Sequence, residues 1–265
     1  MNAYRRRGGY RYLIMIVTVI ALAITSSPNT GRGQTSIIST LLEKSKAVVN
    51  IKSEFGGVFG DPPQAFIHKE SGSVIVRRHL IPMLYAQTGA GVILDKQGLI
   101  ITNAHLVRQA SRITVALFDG TNCAAELITV SPEYDLAVIR IVPPYPLVSF
   151  ELSDSDSVRL DDRVYSIGGS ILLKNTISEG RIRGIGVKKI QENYGEHPVQ
   201  LIRINFDMYQ GDSGSPLVDP EGKLLGIMSA KSAVNAKEAY AIPSNIILKA
   251  IRETARKATE NSPSP

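Results

Sequence analysis

A succession of short β-type runs separated by turn signals is the feature that most restricts this fold. The runs lie at residues 47–51, 91–94, 99–102, 113–118, 126–130, 136–141, 163–167, 180–187, 201–204, 216–218, 224–229 and 239–242. Between them stand Asp95-Lys96-Gln97-Gly98, Asp119-Gly120 and Asp219-Pro220-Glu221-Gly222, residue types that reverse the backbone. Many short strands at this spacing predict an all-β sandwich or barrel. Pro143-Pro144-Tyr145-Pro146 interrupts any strand or helix. It marks the join between two β halves, residues 46–145 and 146–257.

Three segments lie outside that pattern. Residues 54–85 contain Gly and Pro and read as a long mobile surface loop. After Ile242-Pro243, Ser244 is placed to cap a helix over 245–257, with Ile247, Ile251 and Ala255 near one face. The remaining residues, 258–265, read as a disordered tail.

The chain starts with Arg5, Arg6, Arg7 and Arg11, followed by an apolar run over 13–24 and then small residues, with Ala21-Leu22-Ala23 as a cleavage motif. This is the layout of a secretory signal, and the run is short for a membrane span, which needs about 20 apolar residues. Residues 1–25 are therefore expected to be a signal peptide or a signal anchor. The protein is expected to be exported, periplasmic or extracellular, or held to the membrane by that segment. Residues 26–45 follow as a linker in which 37–46 can form a short helix.

The four arginines also account for most of the formal charge of +6. The body they leave is near neutral, which argues against a nucleic-acid binder with its clustered basic face. Cys123 is the single cysteine, so no intrachain disulfide is possible. No Cys/His cluster has metal-ligand spacing and no Gly-rich loop suits a phosphate, so neither a metal nor a cofactor is expected.

Chemistry enters with Gln210-Gly211-Asp212-Ser213-Gly214-Ser215-Pro216-Leu217, a tight loop between two apolar runs. Ser213 at its tip suits a nucleophile, but the same residue types also make an ordinary turn. Two other stretches shift the balance. His105 closes the apolar strand in Leu99-Ile100-Ile101-Thr102-Asn103-Ala104-His105, and Asp135 opens another in Tyr134-Asp135-Leu136-Ala137-Val138-Ile139. Each alone is more often structural. Together they supply base, orienting acid and nucleophile in the order His, Asp, Ser. Subtilisin-type enzymes run Asp, His, Ser and α/β-hydrolases run Ser, Asp, His, so a β-rich chain fits only the first order.

These motifs resemble the trypsin-like serine proteases, and most closely the HtrA group. The resemblance is carried by the stretch from Gly91-Val92-Ile93-Leu94-Asp95 through His105, by residues 134–139, and by Ala239-Tyr240-Ala241-Ile242-Pro243-Ser244-Asn245, and it covers roughly 47–250. It implies a chymotrypsin-like fold of two perpendicular six-stranded β-barrels with a C-terminal α-helix and an active site in the cleft between them. It also implies catalysis by His105, Asp135 and Ser213, an oxyanion hole of the Gly211 and Ser213 N–H groups, and support of the aspartate by Ser229. A plain strand serine is the alternative for Ser229. Polypeptides are the implied substrates, unfolded or damaged proteins among them, and a homo-oligomer is possible for the group.

The departures from the group are informative. The chain ends after one helix, with no PDZ domain expected. Asp212 replaces the usual Asn before the serine, and Gly168-Gly169-Ser170-Ile171-Leu172-Leu173 replaces an Asn-Pro-Phe-Gly stretch. Asp212 is expected to be buried and to need an internal partner. Asp207 stands where enzymes selective for Lys or Arg carry the acid of their primary pocket, while Lys231 and Glu238 occupy pocket-wall positions and would narrow it. The expected preference is for small or medium apolar residues. The rival reading is a catalytically silent trypsin-fold binding or regulatory protein, with an esterase on the same fold behind it.

Overall fold

The computed structural model of the chain describes residues 31–60, 64–67, 74–77, 80–168, 176–192, 195–209, 211–232, 235 and 237–260. Residues 1–25 and 169–173, which carry the expected export segment and loop replacement, lie outside the described residues. Among the described residues no helix is long and apolar enough to cross a membrane.

Two closed six-stranded antiparallel barrels make up the fold. The first is built from β1 (Val48–Gly60), β4 (Leu80–Ile93), β5 (Leu99–Asn103), β6 (Arg112–Ala116), β7 (Asn122–Ser131) and β8 (Leu136–Ile141), in the order β1-β4-β5-β8-β7-β6. Pairing of Asn50–Glu54 with Arg112–Ala116 returns β6 to β1 and closes it. The second contains β9 (Arg163–Ile167), β10 (Ile177–Glu192), β11 (Gly195–Ile204), β12 (Pro216–Val218), β13 (Leu224–Lys231) and β14 (Ala239–Pro243), in the order β10-β11-β14-β13-β12-β9. The expected all-β class and barrel architecture are what the chain adopts.

Alternation of side chains drives closure. In β1, Ile51 and Ser53 are buried while Lys52 between them is exposed, and in β10 buried Ile182 is flanked by exposed Arg181 and Arg183. Ile51, Ile100, Ile139 and Val115 fill the first barrel, and Val164, Ile182, Ile202, Leu217 and Met228 fill the second. Burying each such aliphatic side chain contributes about 1.5–3 kcal/mol.

The long loop expected over 54–85 is instead a β-hairpin. The β1–β4 ladder runs on without a break from Val48↔Val92 to Gly60↔Leu80, and β2 (Gln64–Ile67) pairs with β3 (Val74–Arg77) beyond it. The glycines that hid this strand from its side-chain pattern do not prevent backbone pairing. Phe55 stacks on its ladder partner Tyr85 with ring centroids 5.0 Å apart.

Both ends of the protein also depart from expectation. The short helix expected over 37–46 begins earlier, as α1 (Gly31–Lys44). A one-turn helix, α2 (Ala104–Val107), follows β5, and the C-terminal helix α3 (Ser244–Glu260) runs three residues into the expected tail. Ser244 is the first residue of α3 rather than the one preceding it; its hydroxyl donates to Ser153 O at 2.6 Å, and the Asn245 N–H donates to Ser155 Oγ at 3.1 Å.

The connection between the barrels is stitched to both. The Phe150 N–H donates to Ile93 O at 3.0 Å, and Ser153 N and Leu224 O lie 2.8 Å apart. These bonds hold the two halves in one unit beginning at Leu41, which fixes the surfaces on which the site is built.

Candidate active site

Strand β5 is buried from Ile100 to Asn103, so the α2 turn that follows is delivered to a set place. His105 lies in that turn with its side chain 29% exposed. Asp135 follows a 3-10 turn, Pro132–Tyr134, and has left-handed backbone angles, φ 52° and ψ 41°. Its side chain is only 2% exposed.

A buried carboxylate needs donors. Asp135 has three. His105 Nδ1 lies 2.9 Å from Oδ2 and 3.1 Å from Oδ1. The His105 backbone N–H donates to Oδ1 at 3.0 Å, and the Ser229 hydroxyl to Oδ2 at 2.9 Å. A carboxylate can only accept, so Nδ1 carries the ring proton and Nε2 keeps its lone pair. The chemical result is an imidazole fixed in one tautomer, with the basic lone pair on Nε2.

Ser213 is half-buried in a loop shaped by two glycines with positive φ, Gly211 at 97° and Gly214 at 83°. The loop is bonded on each side. Asp212 N donates to Tyr209 O at 3.1 Å, Ser215 N to Asp212 O at 3.0 Å, and Gly214 N to Met228 O at 2.8 Å. Across the barrels, the Ala90 N–H donates to Ser213 O at 2.8 Å. Ala90 O in turn accepts the buried Thr102 hydroxyl at 2.7 Å. Thr102 is three residues before His105, so the serine loop is anchored on the strands that carry the histidine. Sequence alone does not single out Thr102, because a buried strand threonine carries no local signal of its partner.

Asp212 is half-buried rather than buried as expected, and the Tyr209 backbone N–H donates to its Oδ2 at 2.8 Å. Burial raises its carboxyl above the usual aspartate range, while that hydrogen bond pulls the other way.

Asp207 is exposed and lines a cavity with Ser166, Thr176, Ser178, Met208 and Asp212. Lys231 is exposed at the end of β13, and Glu238 is half-buried with Oε2 4.0 Å from Arg203 Nη1. Neither is among the residues lining that cavity. Among the described residues no ion pair joins Lys231 to Asp207, and no group of His, Cys, Asp and Glu is arranged to hold a metal ion.

With this geometry established, three comparisons bear on the chain. Residues 89–227 match the trypsin-like peptidase domain family. The periplasmic serine endoprotease DegP of Salmonella typhimurium is 35% identical over 164 residues, 60% of this chain and 34% of its own length. The magnetosome formation protease MamE of Paramagnetospirillum magneticum is 32% identical over 224 residues, 80% of this chain and 29% of its own length. The chain thus spans about a third of the length of these relatives. Among solved structures, an HtrA-type protease with a decapeptide superposes with a TM-score of 0.66 at 25% identity, covering 83% of this chain and 67% of that one.

Proposed function

The chain belongs to the trypsin-like peptidase family, and from that premise we propose that it is a serine endopeptidase acting through an acyl-enzyme on Ser213. The observation that carries the reading is the His105–Asp135 pair, with Nδ1 held at 2.9 Å from a buried carboxylate. That bond keeps the ring proton on Nδ1 and the basic lone pair on Nε2.

A serine hydroxyl is a weak nucleophile at neutral pH and needs such a base. His105 Nε2 takes the proton as Ser213 Oγ bonds to the substrate carbonyl carbon. Asp135 stabilises the imidazolium that forms. The carbonyl oxygen, now negative, is received by the N–H groups of Gly211 and Ser213, where each donor is worth about 3 kcal/mol. His105 then returns the proton to the amine as the peptide C–N bond breaks. Water, deprotonated by the same imidazole, releases the acid and restores Ser213.

The finer reading is of an exported enzyme that cuts polypeptides able to extend into the site, as unfolded or damaged proteins can. The basic start and the apolar run over 13–24 support export, and so do the relatives named as periplasmic.

The test is a comparison of purified wild type with Ser213→Ala on casein, with organophosphonate labelling alongside. Wild type should cleave and take up the label while the folded variant does neither. Equal proteolysis by both sinks the assignment. Labelling without casein cleavage, together with ester hydrolysis, favours an esterase on the same fold.

A further inference from the structure

Asn103 is the last residue of β5 and pairs in register with Leu136. It also stands at the N-cap position of α2, where an asparagine side chain ordinarily accepts an N–H of the first helical turn. Here it makes no such bond. Its amide nitrogen instead donates to the carbonyl of Asp135 at 3.3 Å, within a fully buried site.

That carbonyl belongs to a residue in a backbone conformation that side chains other than glycine disfavour. The left-handed angles of Asp135 persist only if its surroundings hold them. Three consecutive residues do so. Asn103 Nδ2 and the Ala104 N–H, the latter at 3.0 Å, both bond the Asp135 carbonyl, and the N–H and ring of His105 bond its carboxylate. Of these donors Asn103 Nδ2 is the one side-chain group outside the triad.

Stability does not account for an asparagine at this place. Its Oδ1 is buried with no hydrogen-bond partner among the described residues, and an orphaned acceptor in a core costs stability. A leucine would fill similar space without one. We infer that Asn103 is a positioning residue for the proposed hydrolysis: its amide holds Asp135 in the backbone conformation that aims the carboxylate at His105. This rests on the protease reading of the site.

The decisive variant is Asn103→Leu in the full chain. The expected result is a folded protein at least as heat-stable as wild type, with kcat lowered tenfold or more and KM within about twofold. The far-downfield proton of the His105 Nδ1–H, recorded by NMR, should be lost or broadened by exchange. An unchanged kcat and an unchanged resonance overturn the proposal. So does a variant that melts well below wild type or fails to fold, because Asn103 is then a core residue. Wild type that hydrolyses nothing sinks the protease reading instead, and the NMR arm still reports whether Asn103 orders the pair.

Discussion

The N–H of Ala90 on the first barrel donates to the carbonyl of Ser213 on the second at 2.8 Å. This one bond joins the loop of the nucleophile to the strand beside β5, which leads into His105. Nothing between the two residues in sequence suggests it. Its consequences are felt at Gly214, where Ala90 of β4 leaves no room for a side chain.

Gly214→Ala should break this junction. A Cβ there would lie 2.0 Å from Ala90 O and 2.9 Å from Thr102 Oγ1, at a φ of +83°. Left-handed backbone costs a non-glycine residue about 1–2 kcal/mol, and a clash with fixed backbone adds to it. Denaturant midpoints should show a loss above about 2 kcal/mol. The organophosphonate labelling rate should fall about 100-fold, because small displacements of a nucleophile cost that much. A variant that labels at the wild-type rate would show that the loop is not held here.

Ser229→Ala removes one of the three donors to the Asp135 carboxylate and leaves both bonds from His105. A hydrogen bond to a charged group is worth about 1.5–3 kcal/mol. Steady-state kinetics should therefore show kcat lowered about 10- to 100-fold with KM little changed. An unaltered kcat would reduce Ser229 to an ordinary strand residue.

Asp212→Asn addresses a carboxyl whose burial raises its pKa. The folded state then binds its proton more tightly than the unfolded chain does. Its contribution is most favourable below the ordinary aspartate range, about pH 3.9. It is lost as pH rises through the higher folded value. At pH 7 the variant should melt above wild type, since asparagine retains an acceptor for the Tyr209 N–H. The difference should shrink as the pH is lowered towards 4. Thermal melts at both pH values decide it, and a variant less stable at pH 7 contradicts the sign.

Specificity is expected to favour small or medium apolar residues before the cut. Asp207 is exposed, and solvent screens an exposed carboxylate from a basic side chain. Profiling with a peptide library should give the same preference for wild type and Asp207→Ala. Dominant cleavage after Lys or Arg, lost in that variant, would place the carboxylate in the primary pocket.

How far the sequence reaches can be judged residue by residue. The alternating runs announced the strands, because side-chain period and turn residues are local properties. His105, Asp135 and Ser213 were nameable because their order and residue types are also written in the chain. Residues 54–60 read as loop since Gly56, Gly57 and Gly60 erase the alternation, yet the ladder to Leu80 forms through the backbone. Ser244 has the composition of a cap, but nothing local announces that its hydroxyl donates to the Ser153 carbonyl, 91 positions away.

The sequence by itself determined the all-β class and the chemical identity of the three candidate side chains. Tertiary structure alone decided the left-handed turn at Asp135, the partner of Asp212, the grip of Asn103 and the bond from Ala90 to Ser213. Those contacts join residues far apart in the chain. Their geometry exists only once each barrel has closed and the linker has fastened one to the other.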